Sequence, residues 1–129
     1  MKPAVARWLE LAEVDLKAAK TLMNESDLSP IVCFQAQQSV EKCLKALIED
    51  RKLNPPKSHD LLMLYGKVDD AIDLDEDTLA TLNQVYIDSR YPASLGSLPE
   101  GLPDVEDAKE FFEFAVNVLS QVKTILQTQ

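Results

Sequence analysis

Apolar residues recur at every third or fourth position over most of this sequence, and that spacing limits the folds open to it. An amphipathic helix buries one face in this way, whereas a β-strand alternates apolar and polar residues. No long stretch alternates like a strand, and the only three glycines all come after residue 65. The sequence therefore predicts an all-α fold.

The first two predicted helices have clear start and stop signals. The first begins after Pro3 and ends within residues 24–27. The second is predicted to start at a Ser29 cap followed by Pro30 and to reach about Asp50. Each is long enough to cross one small domain.

The rest of the chain predicts three more helices and one long loop. Ser58 or Asp60 can cap a short third helix, and the acidic run 73–77 suits the positive end of a fourth. Residues 92–103 hold three prolines and two glycines and form the loop, after which Asp104 caps the last helix. Four main helices and one short one predict an antiparallel up-and-down bundle, a single domain over residues 1–129.

Charge and composition exclude several classes of function. The formal net charge of -9 arises entirely after residue 60, which argues against a nonspecific grip on nucleic acid. No apolar run approaches the roughly 20 residues needed to span a bilayer, and no signal peptide precedes the first helix, so we expect a cytoplasmic protein with no membrane contact. No zinc spacing, glycine-rich phosphate loop or calcium loop occurs, so we expect neither metal nor cofactor.

The two cysteines, Cys33 and Cys43, fall in one helical pattern ten residues apart. At 1.5 Å rise per residue this separates them by roughly 15 Å, beyond the reach of a disulfide. We expect them to be reduced and to pack as small apolar side chains.

Four segments resemble a known family in order and spacing. Residues 33–47 read CFQAQQSVEKCLKAL and resemble the AQQAxEKxLKAL signature of HEPN domains (higher eukaryotes and prokaryotes nucleotide-binding). Residues 6–9 and 12–19, ARWL and AEVDLKAA, are similar to the family's first helix. PKSHDL at 56–61 resembles its P-x-[ST]-H-[DS]-L turn, and SRYP at 89–92 its S-R-Y-P element.

The resemblance implies a helical bundle, commonly dimeric, often encoded beside a minimal nucleotidyltransferase in a toxin and antitoxin pair. Many family members cleave RNA with an arginine followed four to six residues later by histidine. This sequence departs from that pattern, because Leu95, Gly96 and Ser97 follow Arg90 at the required distances. The only histidine, His59, lies thirty-one positions upstream.

Candidate ligand contacts come from the polar residues of these segments. Glutamine amides, lysine and an arginine fork suit a base edge or a phosphate, and a tyrosine ring can stack. The alternative for the second helix is a solvated face with internal ion pairs; for His59 it is capping or packing, and for Arg90 a favourable helix end. The predicted nucleotide or phosphate contacts are Gln37, Gln38, Glu41, Lys42, Lys45, His59, Arg90 and Tyr91; no catalytic residue is assigned.

The last helix has an apolar face wider than one neighbouring helix needs. Either this helix lies between two others, or its second apolar line forms a homodimer surface. The residues of that line are Phe111, Phe114, Val118 and Ile125.

Three functions remain open at this point. We favour a noncatalytic module that binds a nucleotide or RNA phosphate and partners a separately encoded minimal nucleotidyltransferase. The first alternative is a metal-independent ribonuclease toxin that combines His59 with Arg90 in an atypical site. The second is a pure protein-interaction scaffold.

Overall fold

The structure, a computed structural model, describes residues 1–90 and 102–128, without the side chains of residues 89 and 90. Four long helices and one short helix are present, which confirms the predicted all-α bundle. They are α1 (Pro3–Leu22), α2 (Ser29–Asp50), α3 (Leu61–Gly66), α4 (Glu76–Arg90) and α5 (Val105–Gln127), with a 3-10 turn at Ser26–Leu28 before α2. No helix in this part of the chain has the length and apolar character to cross a bilayer.

Helix α2 is the centre of the bundle. It packs against α1, α3, α4 and α5, and its most extensive contact is with α1. From Ser39 to Ile48 every residue except Lys42 is buried. Small residues permit this close packing: Ser39, for example, donates its hydroxyl to the Ala12 carbonyl of α1. A helix enclosed in this way must also bury its polar residues.

Helices α3 and α4 cover one side of α2, and polar contacts position them. Asp60 caps α3 as predicted, because its carboxylate accepts from the backbone N–H groups of Leu62 and Met63. The Asn83 side chain of α4 donates to the same carboxylate and accepts from Leu61 N–H at 2.8 Å. The α3 N-terminus is thereby held against α4, which fixes the chain just before it, where His59 lies.

The predicted Ser29 cap is wrong. Ser29 already has helical dihedral angles, and its hydroxyl donates to the Ser26 carbonyl of the preceding 3-10 turn. The residue before α2 is Leu28, which makes no side-chain cap. The sequence pattern of serine before proline is also compatible with a helix that continues from a tighter turn, and that is the arrangement here.

Both cysteines are free and buried in α2. Burial raises the pKa of each thiol to about 12. They pack as apolar side chains, as the sequence predicts, and carry essentially no thiolate at neutral pH.

Helix α5 begins with a capping box: Asp104 accepts from Asp107 N–H, and the Asp107 side chain accepts from Asp104 N–H. The helix contacts both α2 and α1. Phe111 and Val118 of its second apolar line are buried in the core, and Phe114 and Ile125 are half-buried against it. Most of the wide apolar face is therefore used within the chain.

Candidate functional site

A buried ion pair on α2 forms the base of the candidate site. Glu41 and Lys45 lie one helical turn apart, with Lys45 Nζ 3.1 Å from Glu41 Oε2 and side-chain exposures of 5% and 8% for Glu and Lys. The Lys45 ammonium also lies over the Trp8 ring of α1, 5.5 Å from its centroid. Both charges are compensated, which burial at this depth requires.

His59 reaches this ion pair from the segment before α3. Its Nδ1 lies 2.8 Å from the other carboxylate oxygen, Glu41 Oε1. Gln37 donates from Nε2 to the His59 carbonyl at 3.3 Å and to Glu41 Oε1 at 3.4 Å. We call Gln37, Glu41, Lys45 and His59 the Glu41 cluster. Its hydrogen bonds fix both the ring and the backbone of His59.

The contact with Glu41 determines which nitrogen of His59 carries the proton. An ionised carboxylate only accepts hydrogen bonds, so Nδ1 of the neutral ring must donate to Glu41. Nε2 then keeps its lone pair. The His59 side chain is 46% exposed, whereas that of Glu41 is 5% exposed. The cluster thus presents a ring of fixed tautomer at the surface.

Tyr86 of α4 stacks on His59, with ring centroids 4.5 Å apart and planes 20° apart. Phe34 of α2 stacks in turn on Tyr86, with centroids 6.1 Å and planes 21° apart. The sequence pattern singled out neither Tyr86 nor Phe34 as part of the site. Their positions within each helix do not predict that the two rings stack, because the stacking depends on how α4 packs against α2.

The predicted ligand contacts divide into three groups. Gln37 and Glu41 contact His59, Lys45 is linked to it through Glu41, and Gln38 joins them by donating to Gln37 Oε1 at 2.7 Å. The solvated-face interpretation is therefore wrong for Glu41 and Lys45, which are buried, although the ion pair that it expected between them is present. These residues are buried because α1, α3 and α4 pack over α2. The residue pattern of one helix does not show which other helices will pack against it.

Lys42 forms its ion pair with α1 and not with the residues of the cluster. Its ammonium lies 2.6 Å from Asp15 Oδ2 of α1, and the two side chains are 19% and 13% exposed. Burial raises the pKa of Asp15 above its usual value, although the Lys42 contact opposes that shift. Lys42 therefore joins α1 to α2 and does not extend the surface around His59.

The other two predicted contacts are not described by the structure. Arg90 is the last residue of α4, one helical turn after Tyr86, and its side chain lies outside the described residues. Tyr91 and most of the predicted loop 92–103 also lie outside them. Their predicted roles stay predictions.

No group of three or more His, Cys, Asp or Glu side chains is placed to hold a metal ion in residues 1–90 and 102–128. The most acidic surface is residues 69–77, which we call the acidic segment. Five of its carboxylates line an open cavity of about 680 Å³ beside Tyr65: Asp69, Asp73, Asp75, Glu76 and Asp77. The Asp75 carboxylate accepts hydrogen bonds from the backbone N–H and the hydroxyl of Thr78 and so caps the start of α4. We therefore interpret this surface as a solvated helix start.

Comparison with known proteins gives one family. The model of the HEPN domain matches residues 5–125. The crystal structure of TT1696 from Thermus thermophilus is similar at a TM-score of 0.74 and 27% identity, over 96% of this chain and 99% of that one. The crystal structure of ST0689, an archaeal HEPN homologue, is similar at a TM-score of 0.69 and 28% identity, over 96% of this chain and 98% of that one. No curated protein matches the sequence significantly.

Proposed function

The chain belongs to the HEPN domain family, and on that premise we propose that it is a noncatalytic module that binds a nucleotide or an RNA phosphate. In this proposal it acts in the cytoplasm with a separately encoded minimal nucleotidyltransferase, as a toxin–antitoxin-like pair. The observation that carries the proposal is the half-exposed His59 ring, held by the buried carboxylate of Glu41 and stacked on Tyr86.

Stability alone does not explain the Glu41 cluster. A buried ion pair is often no more stabilising than apolar residues of the same volume, because both charges lose their hydration. Two of the four cluster residues nevertheless carry charge at the centre of the bundle. Their arrangement holds His59 in one orientation at the surface, which is what a binding site needs.

We propose that the protein is noncatalytic because the lysine of the cluster is already paired and the family's spacing of arginine and histidine is absent from the sequence. RNA cleavage requires a group that titrates near neutrality and a cation that stabilises the developing phosphorane. Lys45, the cation of the cluster, is buried and bound to Glu41. Arg90 is not followed by histidine at the family's spacing. In the proposed site, Arg90 and Tyr91 bind the phosphate beside His59 without completing an active site.

We include a homodimer in the proposal, since two-fold pairs are the commonest oligomers. Phe111 and Val118 are already buried within the chain, so they cannot contribute to such a contact without rearrangement. On α5 the area left for a second copy belongs to Phe114 and Ile125, together with Val116, which is 41% exposed. A dimer through α5 would be centred there.

The test of binding without cleavage is a titration of a fluorescently labelled structured RNA, followed by gel analysis of the same samples. We expect a shift in anisotropy, weakened by His59→Ala and Arg90→Ala, and intact RNA throughout. Binding that both variants leave unchanged would remove the pocket from the proposal. Coexpression with the minimal nucleotidyltransferase of a neighbouring reading frame tests the partner, by whether the two proteins coelute.

One observation favours the ribonuclease as a second candidate. A histidine whose Nδ1 donates to a carboxylate and whose side chain is half-exposed has the arrangement of a general base. Arg90 would then have to supply the cation. Cleavage that disappears in both His59→Ala and Arg90→Ala would establish this candidate and overturn the noncatalytic one.

A further inference from the structure

Three aromatic rings form a row that runs from the bundle to its surface. Tyr86 of α4 stacks with both Phe34 of α2 and His59, and His59, the most exposed of the three, is the outer ring. Phe34 and Tyr86 are half-buried, whereas the His59 side chain is 46% exposed. One face of the imidazole lies against Tyr86 and its Nδ1 edge lies against Glu41. The exposed part of the ring is therefore its opposite face and its Nε2 edge.

The outer ring is held before any ligand arrives. Glu41 fixes the ring edge, Gln37 fixes the His59 carbonyl, and the Asp60 cap fixes the next residue at the start of α3. A surface that is already ordered loses little conformational entropy on binding, so more of the contact energy appears as affinity. A flat, fixed and open ring face suits another flat ring.

We propose that the open face of His59 is a stacking platform for an unpaired nucleobase. The proposal rests on the proposed function and deepens it, because it names the base, and not only the phosphate, as a recognised part of the ligand. Bases stack on aromatic side chains whatever their sequence, since each has a π face. A base inside a duplex has both faces covered by its neighbours, so the ligand is a mononucleotide or a single-stranded segment.

A cation for the phosphate lies near the platform. Lys57 is exposed, two residues before His59, and no ion pair of Lys57 occurs among the described residues. Lys42 and Lys45, in contrast, are each bound to a carboxylate. We assign the base to His59 and a share of the phosphate charge to Lys57, which separates the two parts of the ligand on neighbouring side chains.

The test compares AMP with ribose 5-phosphate, which carries the same phosphate and sugar but no base. Both are titrated by calorimetry into the wild-type protein. We expect AMP to bind about 5- to 150-fold more tightly, the factor that corresponds to the roughly 1–3 kcal/mol of a base stacked on an aromatic ring. Equal affinities would overturn the platform and leave a phosphate site intact. Binding of neither compound would overturn both the platform and the nucleotide-binding function.

Two substitutions of the same residue separate stacking from other roles of His59. His59→Leu removes the flat ring and should abolish the preference for AMP, whereas His59→Phe keeps a ring and should retain most of it. Loss of the preference in both variants would overturn stacking, because a hydrogen bond or charge of histidine would then be the cause. Lys57→Ala should weaken the binding of AMP and of ribose 5-phosphate by a similar factor. Asp73→Asn, on the acidic segment, is the matched control, and thermal melting checks that each variant is folded.

Discussion

The Glu41 cluster and the acidic segment both concentrate charge, and they differ in whether the fold buries that charge. The cluster buries one carboxylate with one ammonium and joins them to a single exposed ring. The acidic segment exposes five carboxylates around a cavity of about 680 Å³. The acidic segment offers an open cavity, but its carboxylates are exposed to solvent. The cluster is the better candidate for a site, because its charges are buried and paired and hold one exposed ring in a fixed orientation.

The acidic segment also has sufficient structural reasons for its charges. Negative side chains at the start of α4 interact favourably with the helix dipole. Asp70 is bound to Arg51 at 2.8 Å, and that hydrogen bond lowers the pKa of Asp70 below its usual value. Both interactions stabilise the fold and neither indicates a ligand-binding site. The comparison therefore predicts that the two regions respond very differently to the same kind of substitution.

The largest effect on stability is expected at Glu41. Glu41→Leu leaves the buried Lys45 ammonium without its carboxylate, which should lower the free energy of unfolding by about 3–5 kcal/mol. Asp73→Leu, which also removes one carboxylate, should change it by no more than about 0.5 kcal/mol because Asp73 is exposed. Urea unfolding measures both. Similar losses in the two variants would end the distinction between the regions.

Replacing the whole ion pair sharpens the comparison. Glu41→Leu combined with Lys45→Met removes both charges, so most of the stability lost in Glu41→Leu should return. The double variant should nevertheless lose the Nδ1 tautomer of His59, as ¹⁵N NMR of the imidazole would show, since the ring no longer has its carboxylate. A double variant as unstable as Glu41→Leu would mean that the pair itself stabilises the fold. An unchanged tautomer would mean that Glu41 does not position His59.

The Lys42–Asp15 pair between α2 and α1 should give an intermediate effect. Lys42→Met leaves a partly buried Asp15 carboxylate unpaired, at a cost of about 1–3 kcal/mol near neutral pH. Burial raises the pKa of Asp15, so its protonation in the folded state relieves this cost as pH falls through that raised pKa. Urea unfolding as a function of pH measures the relief. A loss that stays constant down to acidic pH would contradict it.

The smallest effect is expected at the exposed Arg51–Asp70 pair. Arg51 lowers the pKa of Asp70, so the pair stabilises the fold above the ordinary aspartate pKa and this contribution is lost as pH falls through the lowered value. Solvent screens both groups, and Asp70→Asn should barely move the unfolding midpoint at neutral pH. A shift as large as that of Lys42→Met would show that exposure does not set the order of these effects.

The main features of the fold were predictable because they depend on local signals. Apolar spacing gave the helices, and Asp60 and Asp104 gave two of their starts. Ser29 was misassigned because the turn before it continues directly into α2. The single-domain assignment for residues 1–129 stays a prediction.

The site was only partly predictable, because it depends on how helices cover one another. The family signature pointed to Gln37, Glu41 and Lys45, but their burial follows from α1, α3 and α4, which surround α2. His59 was singled out because it is the only histidine. Phe34 and Tyr86 come from different helices, and no spacing within either helix relates them.

The central claim, that Glu41 holds His59 in one tautomer at the surface, is tested most directly by ¹⁵N NMR of the imidazole. The sequence has a single histidine, so the spectrum contains one ring to assign. We predict that the neutral ring carries its proton on Nδ1, and that Glu41→Gln removes this preference. A wild-type ring protonated on Nε2, or a spectrum that Glu41→Gln leaves unchanged, would contradict the account.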